Sequence, residues 1–121
     1  MAKYFSDKEF ECKHCHTLPE NGMDKKLLEV LDAAREDARS PIYVTSGYRC
    51  PAHNCAVGGA PASQHMLGKA ADVYSEDLDV FALKAIIKAA MIRAGVEGGL
   101  QEYADQGFVH VDTRGYWAEW C

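Results

Sequence analysis

Ser63-Gln64-His65-Met66-Leu67-Gly68-Lys69-Ala70-Ala71-Asp72 sets a histidine and a carboxylate seven positions apart in a segment otherwise suited to a buried turn. On one continuous helix that separation amounts to roughly 10.5 Å of axial rise, too far for both side chains to share one ion. The backbone must therefore bend between them, and Gly68, free to adopt positive φ, is the residue able to supply the bend. Lys69 to Tyr74 can then run as a strand, with Ala71 and Val73 on one face and Asp72 on the other. Small Ala70 and Ala71 leave room beside the carboxylate.

A third candidate ligand, His110, sits in Gly107-Phe108-Val109-His110-Val111-Asp112, which alternates apolar and polar with the period of a half-buried strand. His110 and Asp112 then share a face. Two imidazoles and one carboxylate, with a fourth place left for solvent, is the ligand count of a catalytic zinc site rather than a closed structural one. Spacing alone leaves open the plainer alternative, two separate hydrogen-bonded histidines.

Ser63, His65, Gly68, Ala70 and Asp72 fit the pattern S-x-H-x-x-G-x-A-x-D, with Ser46-Gly47-Tyr48-Arg49 upstream and Phe108-Val109-His110-Val111-Asp112 downstream. In these three ordered motifs, from about Phe5 to Trp120, the chain resembles the zinc D-alanyl-D-alanine carboxypeptidase family, which includes phage endolysins and the Hedgehog signalling fold. The resemblance implies an α+β, Hedgehog/DD-peptidase-like fold, a small antiparallel sheet packed against two main helices. It implies one zinc peptidase domain over residues 1–121, with Zn2+ held by His65, Asp72 and His110 and a cell-wall stem peptide as substrate. Arg49 would face the pocket and bind that substrate, where composition alone favours an ordinary ion pair. Ser63 would orient His65 or touch substrate, its plain role being a turn hydrogen bond.

Zinc held there would lower the pKa of a water and polarise a scissile carbonyl, while a nearby base takes the water's proton. Many family members carry Glu or Asp three positions before the last histidine, where this chain has Gly107. Asp112 is the first candidate for the base, being on His110's face; Glu102 and Asp105 come next. The alternative is that Asp112 only hydrogen-bonds His110 or Arg114. Glycine at this place resembles a small phage-like subgroup carrying F-V-H-V-D, so Gly107 does not by itself mark a dead enzyme. The rival reading is a zinc-stabilised wall-binding or protein-binding module that has lost turnover.

The 121 residues suffice for one domain with a real core. A net charge of −5 argues against a general nucleic-acid or anionic-membrane binder. Neither a signal-peptide-like apolar run nor a membrane-span-length stretch is present, so cytoplasmic synthesis is expected, with action at the wall after release or as part of a phage particle. A monomer is expected.

Five cysteines, Cys12, Cys15, Cys50, Cys55 and Cys121, form an odd set. Cys12-x-x-Cys15, interleaved with His14 and His16, offers half of a structural zinc site, a redox pair or one end of disulfides to Cys50 or Cys55. The reading preferred is that they are reduced or locally paired around the N-terminal loop, with Cys121 idle.

Ser6 to Glu9 reads as a capping box on a short turn docked by Phe5 and Phe10. After a turn at Pro19-Glu20-Asn21-Gly22, a helix is expected over Met23 to Ala38, then a strand over Ile42 to Thr45 that delivers Arg49. A short helix enters through Pro51, with His53 on its surface or in packing, and Gly58 to Ala62 form a flexible run. Ser75-Glu76-Asp77 opens the second main helix, Leu78 to Ala94, whose Phe81, Leu83, Ile86, Ile87, Ala90 and Met91 are expected in the core. Leu100 to Tyr103 pairs with Gly107 to Thr113 as a hairpin, and at least one tryptophan of the tail is expected to close the core.

Overall fold

In a computed structural model of the chain, which describes residues 3–19, 22–58 and 63–119, the alternating segments pair into a single four-stranded sheet. Its strands are Tyr43–Ser46 (β1), Ala70–Tyr74 (β2), Leu100–Tyr103 (β3) and Phe108–Asp112 (β4), in spatial order β1-β2-β4-β3 with every pairing antiparallel. Register decides what each face carries. Ala71 opposes Val111 and Val73 opposes Val109, giving an apolar row that joins the core. Asp72 opposes His110, which in turn opposes Gln101, so the intervening row is polar and lies on the other face.

The apolar face is covered by two helices, Lys25–Ala38 (α1) and Val80–Ala94 (α3), while Pro51–Ala56 (α2) is a short connector. α1 starts where the Asp24 carboxylate accepts the Leu27 amide, and it buries Leu27, Leu28, Val30, Leu31 and Ala34. It stops at Arg39, which is left-handed at φ 53°. α3 is capped by Asp79, which accepts the Ala82 amide at 2.8 Å. Helix formation therefore begins at Val80, not at Leu78. The Ser75 hydroxyl instead accepts the amides of Asp77 and Leu78, holding that acidic stretch as a turn.

One core expectation is corrected. Phe81 is 59% exposed, because the buried stripe of α3 runs Leu83, Ile87, Ala90 and Met91 and a residue two before Leu83 faces the opposite side. Trp117 is 38% exposed and does not close the core. The tail attaches through its backbone instead, the Leu100 amide donating to the Ala118 carbonyl at 2.9 Å. Trp120 and Cys121 lie outside the described residues, as do Glu20 and Asn21 of the expected turn and most of the run at 58–62. At the N-terminus Phe5 and Phe10 are buried against each other, and Glu9 reaches back to the Ser6 amide at 2.7 Å.

Candidate metal centre

His65 is delivered by a single 3-10 turn, Gln64–Leu67, capped by the Ser63 hydroxyl, which accepts the His65 amide at 3.2 Å. Gly68 ends the turn at φ 71°, supplying the bend that lets the chain enter β2. His65 Nδ1 lies 2.7 Å from the Gly47 carbonyl oxygen. A carbonyl can only accept, so Nδ1 carries the proton and Nε2 is left with its lone pair, 3.4 Å from Asp72 Oδ1.

Asp72 and His110 meet because their strands pair in register. His110 Nδ1 lies 3.0 Å from Asp72 Oδ1, and Nε2 lies 2.7 Å from Asp112 Oδ2. Donation from Nε2–H to a fully buried carboxylate fixes the tautomer and turns the Nδ1 lone pair toward Asp72 and the cleft. Donor atoms of His65, Asp72 and His110 all lie within 4.8 Å of one another, and all three residues are buried. Ligands about 2.0 Å from a tetrahedral zinc stand about 3.3 Å apart. The separations of 3.0 and 3.4 Å and the two aligned lone pairs therefore suit zinc. Burial alone would raise the Asp72 pKa, but the neighbouring imidazoles of His110 and His65 hold it down at about 2.

Asp112 is fully buried beside His110 and is not among the residues lining the cleft. Besides His110, its carboxylate takes the Gly99 amide at 2.7 Å and the Arg114 amide at 3.1 Å. The Arg114 guanidinium adds a fork, Nε to Oδ1 at 2.9 Å and Nη2 to Oδ2 at 2.7 Å. These donors use up the roughly four acceptor positions of a carboxylate. Burial opposes ionisation, yet His110, Arg114 and the Gly99 amide hold Asp112 far below the usual carboxylate range, whereas a general base works best near the operating pH. The geometry places Asp112 behind His110, in hydrogen-bond contact with its Nε2.

The other carboxylates weighed for the base are also placed elsewhere. Glu102 opposes Val109 and pairs with Lys84 of α3 at 3.3 Å, on the helix-covered side of the sheet. Asp105 is exposed in the β3–β4 turn. Asp72 is the one carboxylate lining the cleft of about 730 Å³ over the centre, among the described residues. Arg49 and Ser63 both line this cleft. Arg49 also makes the plainer contact, Nη2 standing 3.4 Å from Asp72 Oδ2.

Sequence reasoning missed the residues that aim Arg49: Ser46 Oγ accepts from Nε at 3.2 Å and the buried Asn54 from Nη1 at 3.4 Å. A polar residue on the inner side of a six-residue helix, five positions after the arginine, was the available signal. Tyr103, Gln106 and Tyr116, also unassigned from sequence, form part of the cleft wall. Cys50, but not Cys55, joins the Cys12-x-x-Cys15 pair, and Cys12, Cys15, Cys50 and Cys55 are all free thiols.

The sequence model of the family described as Peptidase M15 matches residues 3–112, which includes all three motifs and every residue of the His65–Asp72–His110 cluster. The chain belongs to the peptidase M15 family. M15 peptidases are zinc-dependent metallopeptidases, and the α+β architecture with its antiparallel sheet is consistent with that family. No curated protein gives a significant match. No helix among the described residues is long and apolar enough to cross a membrane.

Two predictions arise from this M15 centre. Asp112→Asn keeps the shape but weakens the hold on His110, so zinc affinity should fall about 10- to 100-fold, read by competition with a chromogenic chelator. Unchanged affinity would remove the orienting role.

The second concerns pH. Burial lowers the His110 pKa, but the carboxylates of Asp112 and Asp72 more than reverse this and hold it above 6.5. In metal-free protein the resulting stability is complete below pH 6.5 and is lost as pH rises through the raised value. The Asp72 contribution is complete above 3.8 and is lost as pH falls toward about 2. Chelated protein should therefore melt highest between pH 3.8 and 6.5 and lower at alkaline pH. Zinc needs the imidazole deprotonated, so loaded protein should gain stability over the same rise. Melting scans with and without chelator from about pH 5 to 9 test this, and parallel curves would contradict it.

Proposed function

We propose that the chain is a zinc-dependent peptidoglycan peptidase, hydrolysing an amide bond in cell-wall stem peptides as a D-alanyl-D-alanine carboxypeptidase or as an endolysin-type endopeptidase. The observation that carries this is the convergence of His65 Nε2, Asp72 and His110 Nδ1 at the floor of an open cleft. His65, Asp72 and His110 would hold a zinc ion there, which would supply Lewis-acid polarisation of a carbonyl and a water of lowered pKa. The chain's own residues hold and aim. Gly47 fixes the His65 tautomer, and Asp112 with Arg114 fixes that of His110. Arg49, steadied by Ser46 and Asn54, presents guanidinium donors at the cleft wall, where they grip a substrate carboxylate or peptide carbonyl. Ser63 holds the His65 turn and adds a polar edge to the same wall. Acting at the cell wall, the protein would work as a monomer, as part of a phage or prophage lysis system or carried on the phage particle.

The second reading, a wall-binding module without turnover, draws on the cleft having no carboxylate besides Asp72 among the described residues. Digestion of purified peptidoglycan, with fragments analysed by mass, separates the two and identifies the bond. A peptidase releases stem-peptide fragments and loses that ability on chelation and in His65→Ala. Wall material retained on the protein with no fragment released would decide for the binding module.

A further inference from the structure

A second cluster of metal-type donors lies away from the cleft. Cys12, Cys15 and Cys50 bring their sulfur atoms within 4.8 Å of one another, with Cys12 and Cys50 at 3.6 Å. Thiolates bonded to a tetrahedral zinc at about 2.3 Å stand about 3.8 Å apart, whereas a disulfide bond is about 2.05 Å long. The spacing is that of co-ligands. Backbone amides also converge on sulfur: Cys12 Sγ accepts from Cys50 N at 3.4 Å, and Cys50 Sγ accepts from His53 N at 3.4 Å. N–H groups aimed at sulfur favour the thiolate, and three thiolates this close repel each other unless a cation lies between them. The turn that makes the cluster is closed by its own backbone, Cys12 N donating to Thr17 O and His16 N to Cys12 O, both at 2.8 Å.

A redox pair uses two sulfurs and commonly sits at a helix N-terminus. Here Cys12 and Cys15 lie on an irregular turn, and a third sulfur, that of Cys50 at the N-cap of α2, arrives from 38 residues on. Beside the three sulfurs, His14 offers a further donor, Nδ1 standing 3.7 Å from Cys50 Sγ. We propose that Cys12, Cys15 and Cys50, completed by His14 Nδ1, hold a second, structural zinc ion that latches the N-terminal segment onto the loop 47–50. A Cys3His set leaves no coordination place open, which separates this ion in kind from the one in the cleft.

The latch bears on the first site through the backbone. Tyr48 N donates to Phe10 O at 2.8 Å, and a Cβ on Gly47 would come 2.7 Å from Phe10 Cα, so residues 10 and 47 are already in close contact. Gly47 orients His65, and Arg49 is flanked by Tyr48 and the ligand Cys50. An ion at the three sulfurs therefore fixes the loop that carries both.

Metal analysis of protein prepared with zinc in excess under reducing conditions should give two ions per chain. His110→Ala should retain one, and Cys12→Ser/Cys50→Ser should retain the other, so failure of the peptidase reading and failure of this one are told apart. Cobalt substitution of wild-type protein provides a readout independent of variant folding: a near-ultraviolet thiolate-to-cobalt band is expected, and it should persist in His110→Ala. His14→Ala should keep the band but lose about 10-fold or more in affinity. In the double cysteine variant, hydrogen exchange at the Tyr48 and Arg49 amides should speed up while the amides of β4 keep their protection. One zinc in wild type with no thiolate–cobalt band overturns the site. Unchanged affinity in His14→Ala removes that ligand, and unchanged exchange at Tyr48 removes the latch.

Discussion

Asp72→Asn protein is expected to purify without zinc in the cleft and to cleave peptidoglycan at least about a thousandfold more slowly than wild type. The Lewis-acid contribution of a catalytic metal is several kcal/mol, and each 1.36 kcal/mol is a factor of ten in rate. Asp72 is the one anionic member of the cluster, and an amide of the same shape is a poor zinc ligand. The same change removes the negative charge that both imidazoles and Arg49 approach, at 3.4, 3.0 and 3.4 Å, and leaves one acceptor oxygen where there were two. Metal-free Asp72→Asn should therefore also melt below metal-free wild type at pH 6. Zinc content, fragment release and a chelated melt on one preparation test the three parts. Near-normal zinc and near-normal cleavage would sink the assignment of the centre.

Gly98→Ala is expected to destabilise the fold by about 3 kcal/mol or more, the upper end for overpacking a tight contact. A Cβ there would lie 1.8 Å from the Asp112 carbonyl oxygen and 2.7 Å from its carbon, both rigid backbone atoms. Relief requires the segment at 98–99 to back away from the end of β4. That segment is held from the other side by the tail, with Ala118 N donating to Gly98 O at 3.2 Å. It also supplies the Gly99 amide that grips Asp112, so loss of zinc affinity should accompany loss of stability. Gly107→Ala is the control: nothing lies within 4 Å of its added Cβ, and only the left-handed φ of 78° is penalised, at about 1 kcal/mol. Equal melting temperatures for the two variants would contradict the packing argument.

Much of the centre was legible because it rests on local rules. A separation of seven with a glycine between is incompatible with a helix, and Gly68 does take the left-handed conformation the bend demands. Period-two alternation placed Asp72 and His110 on sheet faces correctly, and the strand pairing aligned them. The same alternation put Asp112 beside His110 but could not rank the two by depth. That ranking comes from Gly98, Gly99 and Arg114 closing over Asp112, contacts that no periodicity encodes. Phe81 was misplaced because an apolar residue near a helix start reads as core until the direction of the buried stripe is fixed by packing against α1. The cysteines were ambiguous for a similar reason: Cys12-x-x-Cys15 is local, but the arrival of Cys50 depends on the contact of Phe10 with Gly47 and Tyr48.

The pairing of β2 with β4 also sets when the centre can exist. Asp72 leaves the ribosome 38 residues ahead of His110, and the Arg114 fork that steadies Asp112 follows later still. A nascent chain halted anywhere between them carries His65 and Asp72 without His110, so the donor set is incomplete. The three donors come together only when β4 pairs with β2.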